Sequence, residues 1–442
     1  MKKLLGKILF ILAVGLFTAC SPLPDPAPSP RVRDNFDTNW RFHLGDLRNA
    51  EQPSFDDSSW RQLNLPHDWA IEGDFSADNP SGPGGGALPG GVGWYRKHFD
   101  IDSTLLSSGK RIYLDFDGVY MLSEVFVNGH STGIRPYGYI SFRRDITPYL
   151  QAGTNVVAVR VDNSEQPNSR WYSGCGIYRH VWIVTVAPIH VDLWGTYVTT
   201  PEINDSQATV NVATRLRNSL QEKAEVKVCQ YILDADDKTV AYADCLMTVP
   251  ADTTAESSLQ LTLKAPRRWS IDDPYLYTVR TQIIADGQTI DSYDSPLGIR
   301  TFRFDAEKGF FLNEKPVKIK GVCMHHDLGC LGAAVNERAI ERQLVMLKAM
   351  GCNAYRCSHN PPAPEVLDLC DRMGLIVMDE SFDMWRKRKT TYDYSRFFNE
   401  WYEKDLTDLV MRDRNHPSIF IWSLGNEVLE QWTDINADTL DL

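Results

Sequence analysis

Four clusters of titratable side chains recur through the last third of the chain: His325-His326-Asp327, Arg356-Cys357-Ser358-His359-Asn360-Pro361, Asp379-Glu380 and Gly425-Asn426-Glu427. Each closes an apolar run. Carboxylates, imidazoles and a guanidinium, without His and Cys at metal-ligand spacing, suit proton transfer on a neutral polyol. Glycoside hydrolysis needs this inventory. One carboxyl with a raised pKa protonates the leaving oxygen, and a second carboxylate attacks the sugar or activates water.

The runs between the clusters must position them. Residues 317–326 read as a buried strand. Residues 336–351 read as a helix, with an Asn cap, Ile340, Leu344 and Leu347 at near-helical spacing, and Gly351 at its end. The cycle repeats as strand 353–358, helix 363–373 closed by Gly374, strand 375–381, helix 398–412 and strand 419–424. Such alternation implies a parallel sheet covered on both faces. Half of a (β/α)8 barrel and a small doubly wound sheet both fit this count. The polar clusters decide for the barrel, whose sites form at the C-terminal ends of strands. A doubly wound nucleotide binder would have a glycine-rich turn after its first strand, where this chain has MHHDLG.

Two β-rich regions precede the barrel. Residues 34–188 alternate short apolar runs (112–119, 124–133, 155–163) with turn signals, and Asn128-Gly129 marks a hairpin. This predicts a jelly-roll sandwich. Residues 189–303 hold seven or so short strands, the pattern of an immunoglobulin-like sandwich, with no cluster of chemistry. The glycine-rich stretch 81–93 lacks the preceding strand, following helix and Lys of a phosphate cradle, so a mobile surface loop rimming a pocket is expected.

A net charge of −12 with no basic run in the body of the chain excludes nucleic acid and anionic membrane surfaces as natural partners. Lys2 and Lys3 precede an apolar run, 4–17, too short to span a bilayer but right for a signal peptide, residues 1–19. The run ends Leu16-Phe17-Thr18-Ala19-Cys20, similar to a bacterial lipoprotein cleavage box, although Phe17 stands where such boxes usually place Leu. Cys20 is thus the expected lipid attachment point. Residues 20–33 then form a proline-rich tether, and the barrel occupies 304–442. The expected location is the bacterial envelope, as a periplasmic or outer-membrane lipoprotein that meets the membrane only through its anchor. Cys323, Cys352, Cys357 and Cys370 read as buried small hydrophobes, and a Cys229–Cys245 pair across strands stays open.

The segments LPHDWAIEGDF (65–75), GVYMLSEVFVNG (118–129), SGCGIYRHVW (173–182), GVCMHHD (321–327), RCSHNPP (356–362) and WSLGNE (422–427) resemble those of bacterial β-galactosidases. These belong to glycoside hydrolase family 2, a retaining family that also holds β-glucuronidases and β-mannosidases. The resemblance implies a sugar-binding-type sandwich, an immunoglobulin-like sandwich and a barrel, in that order. It makes Glu427 the acid/base, Asn426 the partner of the sugar 2-hydroxyl, Arg356 the residue orienting the nucleophile, and His359 a wall of the sugar subsite. One of His325 and His326 should face the subsite, since adjacent strand residues point to opposite sides, and His326 is favoured.

The resemblance also brings the Arg170-Trp171-Tyr172 loop toward the barrel mouth, and Trp385 either stacks on a sugar or packs. Glu380 reads as a hydrogen-bonding support rather than a catalyst. The metal-dependent members carry a Glu and a His after the third strand; DESFDMWRKR (379–388) has no such pair, so neither metal nor cofactor is expected. The family nucleophile is a second Glu at the seventh strand. After Glu427 only Glu430, Asp434, Asp438 and Asp441 remain, none of them at a strand end. The expectation is therefore a piece of a longer β-galactosidase, inactive alone and acting on a glycoside or oligosaccharide. A β-glucuronidase or β-mannosidase, and a non-catalytic sugar-binding protein, are the alternatives.

Overall fold

The computed structural model describes residues 23–432, so the leader, Cys20 and the acidic residues after Trp432 lie outside the described residues. The first sandwich packs two antiparallel sheets. One has six strands, in the order Arg61–Leu63, Trp40–Leu44, Gly91–Ile101, Gly153–Asn163, Ser123–Val127, His130–Arg135. The other has four, in the order Val32–Asn35, Val181–Val186, Arg111–Phe116, Phe142–Asp145. Alternation does the work: in Ser123–Val127 every second residue turns inward, and Val125 and Val127 join Trp40, Leu114, Phe116 and Val159 in one core. The hairpin turn falls on Asn128 and Gly129, both at positive φ (50° and 84°).

Seven strands form the second sandwich, split three and four between its sheets. Its register puts Asp244 opposite Cys229 and Val228 opposite Cys245, so the two thiols lie on different rungs and both are free. The tether is not a free spacer along its described length. Ala27 exchanges hydrogen bonds with Gln282 (3.1 and 2.5 Å), and Arg31 forks onto Asp291 (2.9 and 2.7 Å), which lays the segment along this sandwich.

The last layer is a four-stranded parallel sheet, Gly321–Met324, Ala354–Cys357, Ile376–Glu380 and Ile419–Ser423, with neighbours in chain order. Among the described residues the strand order does not reverse, which separates a growing barrel from a doubly wound sheet. Helices Glu337–Ala349, Pro364–Met373 and Ser395–Asp413 make the crossovers. Asn336 caps the first through Ala339 N at 3.0 Å. Gly374 ends the second at φ 71°, and a Cβ there would meet Ile271 O at 2.2 Å, so the position demands glycine twice over. Ahead of the barrel a small three-stranded sheet, unforeseen in the sequence, brings Phe310 and Leu312 under the strand starts with Trp269, Ala354 and Ile376. The first barrel strand is correspondingly shorter than expected. Cys357 and Cys370 are buried as expected, but Cys323 is exposed and Cys352 half-buried. Cys323 shares the sheet face of Arg356, whose Nη1 lies 3.6 Å from its Sγ.

Buried charged side chains tie the elements together. Arg179 donates from the first sandwich to Tyr139 O (2.7 Å) and to Pro361 O and Pro362 O (2.9 and 3.0 Å) of the loop after the second barrel strand. His416, ahead of the fourth strand, pairs with Asp371 at 2.6 Å. Burial works against its charge, but Asp371 outweighs it and lifts the imidazole to about 9. A folded-state value above the unfolded one gives stability that is complete below pH 6.5 and lost as pH rises through 9. Urea unfolding should therefore show roughly 3 kcal/mol less stability at pH 10 than at pH 6 from this group, a difference absent in His416→Gln.

Candidate active site

Glu380, the last residue of the third strand, is fully buried between Arg356 and His359. Arg356 donates to its Oε2 through Nε (3.0 Å) and Nη2 (2.8 Å), and the same Nη2 reaches Asn426 Oδ1 at 3.0 Å. His359 Nδ1 lies 2.7 Å from Glu380 Oε1. Burial pushes the Glu380 carboxyl up, but His359, Ser423 and Arg356 outweigh it and hold it below the usual carboxylate range. A carboxylate so engaged orients its partners rather than carrying protons.

A second buried carboxylate was not singled out in the sequence. Asp383, 4% exposed, takes Arg170 Nε at 2.8 Å and Nη2 at 2.5 Å, Lys389 Nζ at 3.0 Å and Asn426 Nδ2 at 3.0 Å. Burial opposes its charge, and these donors, Arg170 first, keep it well ionised. The available signal was its place between Phe382 and Met384, since a charge inside a buried apolar run must be paired. Asn426 thus bridges the two carboxylate systems.

Glu427 follows on the turn after the fourth strand. Its side chain is 67% exposed, and Arg170 Nη1 lies 3.0 Å from its Oε2. The enclosing environment that an acid/base would need is not formed by the described residues. Arg170 belongs to the first sandwich, so two domains build the site. The neighbouring Trp171 lies with its ring 4.9 Å from His325 and 5.5 Å from His359, whose rings are 5.5 Å apart. The three form a continuous aromatic wall beside the Arg356–Glu380 pair. Burial first, and His359 second, lower the His325 imidazole below its usual value.

Three expectations need correction. His326, favoured for the subsite, turns the other way. Its Nε2 lies 3.2 Å from Ser173 O, and its ring packs on Tyr139 and Tyr178 of the sandwich. Burial first, and Arg179 second, drive its imidazole down to about 3, so it stays neutral packing, and His325 is the member of the pair on the side of Trp171 and His359. Tyr172 also leaves the group: its hydroxyl donates to the buried Asp68, which is further held by Cys175 N (2.9 Å) and Ala333 N (2.9 Å). The glycine-rich stretch is a rim element, but a packed one. Gly84 and Gly86 lie where a Cβ would come within 3.2 Å of Arg170 O and 3.1 Å of the Tyr172 ring, so they seat the loop that carries Arg170. Trp385 takes the packing role left open for it. Its Nε1 donates to Leu424 O at 2.9 Å and its ring stacks on Phe398, bracing the turn into Glu427.

Comparison with known proteins assigns this arrangement. Three domain models match in order: "Glycosyl hydrolases family 2, sugar binding domain" at residues 86–187, "Glycosyl hydrolases family 2" at 189–300, and its TIM barrel domain at 305–439. The chain belongs to glycosyl hydrolase family 2. It is 62% identical over 415 residues to β-galactosidase BoGH2A of Bacteroides ovatus, covering 94% of this chain and 48% of that protein. A family 2 structure from Bacteroides cellulosilyticus superposes with a TM-score of 0.89 at 44% identity, covering 92% of this chain and 53% of that one. A family 2 β-glucuronidase structure gives 0.83 at 27% identity, covering 90% and 44%. The chain spans about half the length of these relatives. The fold class expected from sequence is the family 2 one: two sandwiches and part of a barrel.

Proposed function

We propose that this chain carries the acid/base half of a retaining β-galactosidase site, with Glu427 as the acid/base. The observation that supports it most is the position of Glu427: exposed at a barrel strand end, clamped by Arg170, and adjacent to an Asn426 that Arg356 and Asp383 hold from two sides. The two buried carboxylates nearby are occupied by cations and are not free to attack a sugar. In this reading the nucleophile comes from sequence beyond the fourth strand. Glu427 donates its proton to the glycosidic oxygen as that nucleophile bonds to the anomeric carbon, then takes a proton from water to release the sugar with retention. Galactose is preferred because of the 62% identity to the Bacteroides ovatus β-galactosidase. The structural likeness to a β-glucuronidase supports glucuronate as the second reading.

The test uses this chain joined to the reading frame that follows it, with aryl β-galactoside, β-glucuronide and β-mannoside substrates. Turnover of the galactoside well above the other two, with β-galactose as the first anomer by NMR, is expected. Preferential cleavage of the glucuronide would move the assignment to that sugar, and an α first product would rule out retention.

A further inference from the structure

Lys389 has figured so far only as a partner of Asp383, yet its ammonium is the most enclosed cation at the site, its side chain 7% exposed against 34% for Arg170 and 28% for Arg356. Its backbone N–H donates to Asp393 Oδ2 at 2.6 Å, which aims the side chain inward. The ammonium meets three oxygens: Asp383 O at 2.7 Å, Asp383 Oδ1 at 3.0 Å and Asn426 O at 2.5 Å. Three N–H donors meet three acceptors, and none is left over. The third acceptor matters most. Asn426 O belongs to the peptide that joins Asn426 to Glu427, and Glu427 has φ 45°, a left-handed conformation that an L side chain adopts only under constraint. Gly425, at the other end of the turn, is packed too closely for any side chain, because Trp385 Nε1 and Val428 Cγ1 would each lie 2.7 Å from a Cβ there.

We propose that Lys389 is a positioning residue for Glu427. Its ammonium ties the loop after the third strand to the Asn426–Glu427 peptide and so sets the direction in which the Glu427 carboxyl leaves the turn. Arg170 then fixes the far end of the side chain, and Asp383 holds both cations. This rests on Glu427 being the acid/base. A displaced acid harms substrates in proportion to their need for a proton, which separates positioning from general loss of structure.

The decisive variant is Lys389→Met, which keeps the stem and removes the charge and all three donors. In the chain extended through its downstream frame, kcat/KM for an alkyl β-galactoside should fall roughly 100-fold, the size of effect that a misplacement of about 1 Å produces. For 2,4-dinitrophenyl β-galactoside, whose leaving group departs without protonation, the fall should stay under about tenfold. In Lys389→Ala, ethylammonium should restore alkyl galactoside cleavage where ethanol does not. Equal losses on the two substrates, or no loss on either, would overturn the proposal. Hydrogen exchange at the Glu427 and Val428 amides of the 442-residue chain decides the matter without any activity. Exchange about tenfold faster in Lys389→Met is expected from loss of charged hydrogen bonds, and unchanged exchange would overturn the positioning role. A wild-type extended chain that cleaves no glycoside would sink the functional reading while leaving this exchange result to judge Lys389.

Discussion

Glu427→Gln should lower kcat/KM on alkyl β-galactosides by about 10³-fold and leave dinitrophenyl galactosides far less affected, because general acid catalysis contributes on that scale only where the leaving group needs a proton. Glutamine keeps the volume, the turn and a partner for Arg170, so the loss isolates the proton. The same profile, weaker, is expected from Lys389→Met, and parallel behaviour of the two variants would tie the buried ammonium to the exposed carboxyl. The measurement is initial-rate kinetics on the two leaving-group classes at the pH optimum of the unmodified enzyme. A Glu427→Gln variant that turns over alkyl galactosides at the normal rate would remove Glu427 from the mechanism.

Arg135→Met should be the most damaging substitution for the assembly of the domains. Arg135, 1% exposed in the first sandwich, pairs with Asp405, which is equally buried, and with Asp408 at 2.8 Å, both on helix Ser395–Asp413. Tyr394 donates to the same Asp405 carboxylate. Removing one partner of a buried pair leaves an uncompensated charge and costs about 3–5 kcal/mol. Burial already lifts Asp405 to about 6, against the downward pull of Arg135. Without Arg135 that carboxyl rises further, so the penalty is smaller at pH 5, where the folded state can hold the proton, and larger at pH 8. Denaturant midpoints at the two pH values, read through Trp401 against which Arg135 packs, check both size and sign. Arg135→Met/Asp405→Asn should recover part of the loss at pH 8.

What the sequence made legible was whatever repeats or is local. The strand–helix cycles of the barrel, the Asn336 cap, the Gly374 stop and the Asn128-Gly129 hairpin are written in neighbouring residues and fell where expected. The strand-end clusters likewise brought Arg356, His359, Asn426 and Glu427 to one patch. What stayed hidden was decided by partners far along the chain. The choice between His325 and His326 looked like a matter of strand alternation, but the strand ends at Met324 and the two rings are sorted by Trp171 on one side and Tyr139 and Tyr178 on the other. Tyr172 was drawn off by Asp68, more than a hundred residues earlier in the chain. Asp383 and Lys389 find their partners only where Arg170 and Asn426 arrive from two other elements. Local pattern fixes elements. Long-range packing and charge pairing fix which of their side chains come together at the strand ends.

The most direct test of Glu427 as acid/base is azide rescue of Glu427→Ala in the extended chain acting on dinitrophenyl β-galactoside. With the carboxylate gone, the small anion can reach the glycosyl-enzyme from the face where Glu427 activates water. The expected result is faster turnover with azide and β-galactosyl azide as the product by NMR. An α-galactosyl azide would make Glu427 the nucleophile instead, and no rescue at any azide concentration would contradict its place on that face.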